Sequence, residues 1–330
     1  MQYTGCYVEL TSDCNLSCKH CALNKERSVY QLPLDKIKET LCFLTTTGLR
    51  CVYLSGGEPL LYDHFRDVCE FLSLQDRIEW EIVTNGTLLS DETCVFLKKQ
   101  HGLRRINLSL DGATATTHDF NRGIGTFDSV IRAVQLLKKH GFENRINIQM
   151  VLAKYNLHEI GEFQRLAESY NISYKFIRLS KLGQAKKNAD VLVLDDAALN
   201  DTSATVQKTN NKEDIAYSCP LIKSDHKATL YIDYFGNVFL CKKLRHTNRK
   251  IGNINSQIID KDMLNDLLQD ILAYSKDLST CESCAIKAYC KKGCFAKALL
   301  YNLPNDGGCR ERVSFFSKKL LEHIRKDASR

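Results

Sequence analysis

Short runs of β-branched and aromatic residues alternate with longer stretches of helical periodicity from residue 6 to about residue 180. The short runs predict strands at Cys6 to Thr11, Cys51 to Ser55, Trp80 to Thr84, Arg105 to Leu110, Arg145 to Leu152 and Tyr174 to Leu179. Between them, apolar positions such as Ile37, Leu41 and Leu44, or Val130, Val134 and Leu137, predict helices with one buried stripe. Repeated βα units imply a parallel sheet with helices packed outside it. Six units are too few for a closed eight-stranded barrel, so the expected fold class is α/β, a partial (β/α)6 TIM-like barrel over residues 1–180.

The pattern weakens after Leu179. Residues 181–215 read as a linker that ends in the polar run Gln207 to Asp214. Residues 216–330 read as a second, smaller unit. In it, Ala228 to Asp233 and Asn237 to Cys241 predict two strands joined through Tyr234-Phe235-Gly236, a hairpin that would deliver Cys241 beside its neighbours. The stretch from Arg312 to Arg325 has Val313, Phe316, Leu320 and Ile324 on one face, as an amphipathic helix packed on a core would.

In barrels of this kind the loops at the C-terminal ends of the strands converge and carry the chemistry. Cys14 to Cys21 follows the first predicted strand, Gly56-Gly57-Glu58-Pro59 the second and Asn85-Gly86 the third, while Ser109 to Gly112 ends the fourth. Turn-making alone explains any one of these glycines. Four such loops on one rim point to a shared site.

Composition narrows the setting. No apolar run approaches the roughly 20 residues of a membrane span, and Met1-Gln2-Tyr3-Thr4-Gly5 lacks the order of a signal peptide. The expected location is the cytoplasm, with no membrane partner. The net charge of +7 is dispersed apart from pairs such as Lys186-Lys187, Lys242-Lys243 and Lys291-Lys292, and no basic stripe interleaved with aromatics marks a nucleic-acid surface. The fifteen cysteines matter more: an odd number at tight spacing fits a disulfide framework poorly and metal ligation well.

Ten of them form two sets, Cys14, Cys18 and Cys21 near the start and Cys219, Cys241, Cys281, Cys284, Cys290, Cys294 and Cys309 near the end. The first three can wrap one four-iron cluster and leave one corner without a protein ligand; the seven are one short of two full cubanes. Cys6, Cys42, Cys51, Cys69 and Cys94 have no partner spacing and read as small buried hydrophobes.

The CxxxCxxC spacing of Cys14, Cys18 and Cys21, with the GGEP loop on the next βα unit, resembles the radical S-adenosylmethionine superfamily. The resemblance implies a 4Fe-4S cluster whose fourth iron is chelated by the amino and carboxylate groups of S-adenosylmethionine. It implies cofactor contacts at Gly56, Gly57 and Glu58 toward the methionine ammonium, at Asn85, at Ser109, at Arg122 toward the carboxylate, and at His20 near the adenine.

Cys281-x2-Cys284-x5-Cys290-x3-Cys294, then Cys309, preceded by Cys219 and Gly236-x4-Cys241, resembles the SPASM extension that follows the barrel in one branch of that superfamily. Sixteen residues separate Cys219 from Gly236, more than that pattern usually has. The resemblance implies two auxiliary 4Fe-4S clusters, hence three clusters in all. Auxiliary cluster I takes Cys219, Cys241 and Cys294, its open iron met by substrate, water or a side chain such as Asp225 or His226. Auxiliary cluster II takes Cys281, Cys284, Cys290 and Cys309. If Cys219 binds no iron, it becomes the candidate hydrogen donor. CxxC pairs also suit zinc, which leaves a protein colourless where iron–sulfur clusters turn it brown.

The implied activity is reductive cleavage of S-adenosylmethionine to a 5'-deoxyadenosyl radical that abstracts hydrogen from the substrate. Auxiliary clusters that accept an electron favour net oxidation, such as a thioether or carbon–carbon crosslink in a ribosomally synthesised peptide. The expected partners are that precursor peptide and a flavodoxin or ferredoxin electron donor. The first strand starts within the first ten residues, so leader recognition is expected from a separate leader-binding protein or from the barrel and SPASM surface. The alternatives are a small-molecule dehydrogenase or epimerase of sugar or tetrapyrrole type, sulfatase maturation, and a non-catalytic iron–sulfur carrier.

Overall fold

The structure is a computed structural model that describes residues 2–23, 28–194, 227–277, 279–284, 294–302 and 304. Six strands, β1 (Gln2–Glu9), β2 (Cys51–Ser55), β3 (Glu79–Thr84), β4 (Leu103–Ser109), β5 (Ile146–Leu152) and β6 (Ser173–Arg178), run parallel and lie side by side in chain order. The crossovers carry α1 (Leu34–Thr46), α2 (Phe65–Ser73), α3 (Asp91–Lys98), α4 (Ala115–Arg122) with α5 (Thr126–Lys139), and α6 (Ile160–Ser169). Ile37, Leu41 and Leu44 on α1 and Val130, Val134 and Leu137 on α5 are buried, as their spacing demands. Ser90 and Thr114 cap α3 and α4 by accepting the Thr93 and Thr117 N–H groups.

The sheet continues past β1. β7 (Lys227–Ile232) pairs parallel with it, and β8 (Asn237–Phe239) and β9 (Gly252–Asn253) follow antiparallel, giving the order β6-β5-β4-β3-β2-β1-β7-β8-β9. The expected hairpin is therefore present, with Asp233 Oδ1 accepting the Phe235 and Asn237 N–H groups and Gly236 at φ 81° in its turn. Its first strand also serves as the seventh parallel strand of the barrel sheet. That docking explains why β1 begins at Gln2 and not at Cys6: Gln2 and Tyr3 pair with Lys227 and Ala228.

Short helices α7 (Gln184–Lys187) and α8 (Ala189–Leu192) occupy the start of the expected linker. Further on, Leu267 and Ile271 of α9 (Lys261–Lys276) and Phe295 and Ala296 of α10 (Phe295–Tyr301) join the same apolar core as the barrel. The helix expected from Arg312 to Arg325 lies outside the described residues. Among the described residues no helix is long and apolar enough to cross a membrane.

Successive side chains of a strand point to opposite faces. Val8, Val52, Leu54, Ile82, Ile106, Leu108, Ile148 and Met150 are buried in the core. The alternate positions are polar: Asn107 donates to Glu81 Oε2 at 2.8 Å and accepts from Asn147 at 2.9 Å and Gln149 at 2.8 Å. Closed barrels fill this side with branched aliphatics. A polar inner face paired within itself instead suits an open barrel. Of the five cysteines expected to be buried, Cys6, Cys69 and Cys94 are; Cys42 is exposed because it sits off the α1 stripe, and Cys51 is half-buried beside Arg104.

Candidate active site

The loop after β1 is fixed by its neighbour before it reaches the first cysteine. Leu10 N–H donates to Ser55 O at 2.9 Å, Gly57 N–H to Thr11 O at 2.8 Å and Glu58 N–H to Asp13 O at 2.7 Å. A Cβ on Gly57 would stand 2.0 Å from Asp13 O, and one on Gly56, whose φ is +134°, 2.5 Å from Thr11 O. Both glycines are thus required by backbone lying on backbone, independently of any ligand.

Glu58 is fully buried and does not line the cavity that the loops enclose. Its carboxylate accepts from Thr84 Oγ1 at 2.6 Å, Asn85 N–H at 2.8 Å and Leu60 N–H at 3.2 Å. It ties the second loop to the end of β3. Burial raises its pKa, against the pull of those donors. Asn85 extends the chain of contacts, donating to Asn15 Oδ1 at 2.9 Å inside the cysteine loop, while Asn15 donates to Thr87 Oγ1 at 2.8 Å.

The fourth loop clamps the cysteine loop from the other side. Asp111, fully buried, accepts from Arg122 Nε at 2.6 Å, Asn121 Nδ2 at 2.8 Å and Val151 N–H at 2.9 Å. Burial would raise its pKa, but Arg122, His20 and the Val151 N–H outweigh it and hold the carboxyl down to about 2. Asn121 also accepts the His20 N–H at 3.1 Å and contacts His20 Nδ1, and its carbonyl accepts the Lys19 N–H at 3.0 Å. Arg122 Nη1 reaches Cys18 Sγ at 3.9 Å. From the third side, Gln184 N–H donates to Cys21 O at 2.8 Å and Asn188 Nδ2 to Lys19 O at 3.0 Å.

These loops enclose a cavity of about 640 Å³ lined by Cys14, Cys18 and Cys21 together with His20, Gly56, Gly57, Asn85, Ser109 and Arg122. Three thiols thus meet a glycine cradle and a buried cation in one space. Burial pushes Cys14 up to about 11 and raises Cys18 against the opposing pull of Arg122, so a metal's positive charge is needed to make them thiolates. Among the described residues no three metal-ligating side chains converge tightly enough for a single ion. Three thiols spread around one cavity instead suit a larger group with a corner for each, as an iron–sulfur cluster has.

Sequence patterns gave no warning of the opposite wall. Glu9 at the end of β1 is buried; its carboxylate accepts the Tyr231 hydroxyl from β7 and Arg245 Nε at 2.9 Å. Arg245 also stacks over Tyr234, 4.9 Å from the ring centroid. Glu9, Tyr231, Lys242 and His246 all line the cavity. The available signal was Glu9 itself, a carboxylate in the apolar run Tyr7 to Leu10, but its partners come from more than two hundred residues away.

Of the second cysteine set, burial raises the Cys241 thiol and the nearby Cys294 adds to that rise, while Lys243 Nζ lies 3.9 Å from Cys294 Sγ. Cys281 and Cys284 share a turn, with Cys284 N–H donating to Cys281 O at 3.0 Å. Cys219, Cys290 and Cys309, with Asp225 and His226, lie outside the described residues.

Comparison with known proteins agrees with this geometry. Residues 8–167 match the Radical SAM superfamily. The chain is 28% identical over 333 residues to the mycofactocin maturase MftC of Mycobacterium tuberculosis, spanning 96% of this chain and 84% of the relative. Its fold resembles Streptococcus suis SuiB bound to precursor peptide SuiA (TM-score 0.73, 20% identity, 93% of this chain and 76% of that one). It also resembles anSMEcpe bound to AdoMet and the Cp18Cys peptide (TM-score 0.69, 18% identity, 99% of both chains). A parallel partial barrel, three thiols on the loop after its first strand and a glycine cradle beside them suit S-adenosylmethionine and one 4Fe-4S cluster, and residues 8–167 belong to the Radical SAM superfamily.

Proposed function

We propose that this enzyme is a peptide maturase that oxidatively modifies a ribosomally made precursor, through a crosslink of thioether or carbon–carbon type. The observation that carries this reading is the extent of the likeness to the mycofactocin maturase, which runs over 96% of this chain and so includes the region of the second cysteine set. The peptide-bound SuiB, with the same fold, supports it.

When bound, the cluster and S-adenosylmethionine supply one-electron chemistry that removes a hydrogen atom from the substrate. The chain's own residues do the rest. Cys14, Cys18 and Cys21 hold the cluster; Gly56, Gly57, Asn85, Ser109, Arg122 and His20 line the space for the cofactor, and Glu58 holds the second and third loops in register. Arg122 is oriented through Nε by Asp111, which leaves its terminal nitrogens for Cys18 and for a cofactor carboxylate. Enclosure by loops from β1 to β4 and by α7 limits the entry of water.

In the same reading, residues 1–180 form the barrel, 181–215 the linker and 216–330 the auxiliary-cluster unit. Cys219, Cys241 and Cys294 ligate one auxiliary cluster, and Cys281, Cys284, Cys290 and Cys309 the other. Proximity of Cys241 and Cys294 supports the first grouping, the shared turn of Cys281 and Cys284 the second. A flavodoxin or ferredoxin supplies electrons in the cytoplasm. The test is anaerobic reconstitution with reductant, S-adenosylmethionine and a candidate precursor. The expected results are about twelve irons per chain, 5'-deoxyadenosine, and a peptide lighter by two hydrogens. 5'-Deoxyadenosine formed with every precursor unchanged would overturn the reading.

A further inference from the structure

Among the described residues of the cavity wall beside β7, Lys242 is a cation with no partner at hydrogen-bond distance. Lys242 follows Cys241 and lines the wall opposite the glycine cradle. It has protein on all sides while its surface remains open to the cavity. Among the described residues it makes no hydrogen bond and no ion pair; Glu9, Arg245 and Cys21 act on it only through longer-range electrostatics. Of the cations around it, Arg122 is held by Asp111 at 2.6 Å, Arg245 by Glu9 at 2.9 Å, and Lys19 Nζ sits over the Phe120 ring, 3.4 Å from its centroid. Burial, with Arg245 and Lys242, pulls His246 down to about 4, so it adds no charge at neutral pH. The Glu9 carboxylate is already held by Arg245 and the Tyr231 hydroxyl, so this wall carries one surplus positive charge.

A cation that faces an enclosed cavity with no partner of its own is placed to meet a counter-charge brought by a ligand. We propose that Lys242 receives a carboxylate of the substrate, with the Glu9–Tyr231–Arg245 group holding the wall in place; this rests on the substrate being a peptide, whose chain terminus or acidic side chain supplies the group. A single surplus charge matches a monoanion. A phosphate dianion would leave net negative charge beside Glu9. Lysine also suits the role as a compact point charge on a flexible stem, able to follow a ligand that the planar Arg245, fixed over Tyr234, cannot.

The test uses cluster-loaded, S-adenosylmethionine-bound enzyme and four probes: N-acetyl-trialanine as the free acid, the same peptide as its amide, an amide carrying one glutamate, and glutarate. A charge-assisted contact predicts that the acid or the glutamate peptide binds about ten- to a hundredfold more tightly than the plain amide. Which of the two gains identifies the source of the carboxylate. The preference should vanish in Lys242→Gln and persist in Lys242→Arg. Equal binding of acids and amide to the wild type, or a preference that survives Lys242→Gln, overturns the proposal. So does a Lys242→Gln enzyme whose iron content or S-adenosylmethionine affinity falls by the same factor, since Lys242 would then serve the first cluster and its cofactor. Should Lys242→Gln fail to fold, the acid-to-amide ratio of the wild type and of Lys242→Arg decides. Glutarate bound through Lys242 while no peptide binds retains the carboxylate site and removes the peptide substrate.

Discussion

On the α4 side of the cavity Asp111 and Arg122 meet their partners at hydrogen-bond distance, whereas on the β7 side Lys242 has none among the described residues. Asp111, Arg122, Asn121 and His20 form a closed network that holds the cysteine loop. Glu9, Tyr231 and Arg245 form a second network, with Lys242 beside it and outside it. A satisfied network keeps its geometry whether or not a ligand is present; an unsatisfied charge waits for one. In the function proposed above, the difference separates a wall that positions cofactor groups from a wall left to recognise a substrate.

The largest effect should come from breaking the closed side. Asp111→Ala strands the buried Arg122 and should destabilise the protein by about 3–5 kcal/mol in urea unfolding, with loss of cluster content. A cost below about 1 kcal/mol would mean that the network is not closed as described.

Acid should act on the same side in two steps. His118 Nδ1 accepts the Asp111 N–H at 3.0 Å, and burial, then Arg122, lower its pKa from 6.5 to about 4. A lowered folded-state pKa means that the fold prefers the neutral ring. Its contribution is complete above pH 6.5 and is lost as the pH falls through about 4, at most about 3 kcal/mol. Asp111, lowered from 3.8 to about 2, contributes above 3.8 and loses that contribution below it. Urea midpoints between pH 7 and 4 should therefore decline in the wild type and flatten in His118→Phe, whatever fixed cost that substitution adds. An unchanged slope would count against His118.

The smallest effect should come from the open side. Lys242→Met removes a charge without a partner and should leave stability within about 0.5 kcal/mol, or raise it, in the same urea assay. A loss of about 2 kcal/mol or more would reveal a partner for Lys242 and erase the contrast between the walls.

Much of the barrel was legible because its signals are local. Runs of β-branched and aromatic residues located the six strands and helical spacing the buried stripes, with strand ends displaced by no more than four residues for β1 to β6. The cysteine loop and the glycine loop were legible because few residue types can ligate iron or tolerate a Cβ-free approach. The donors that meet Glu58 within the fold were not. A carboxylate after two glycines reads as a ligand for the cofactor ammonium, and in the fold it faces Thr84 and two N–H groups. Cys42 and Cys51 escaped the buried expectation for a related reason: composition says that cysteine favours cores, while only helix phase and neighbouring strands say which cysteine reaches one.

The sequence by itself determined the parallel α/β class, the rim on which the chemistry collects, and the two cysteine sets. All of these follow from spacing within one loop or one element. The tertiary structure alone decided that β7 joins β1, and through it that Glu9 meets Tyr231 and Arg245 and that Lys242 faces the first cysteine loop. Such pairings span more than two hundred residues, and no periodicity records them, because the strand that brings them together is chosen by the packing of the whole sheet.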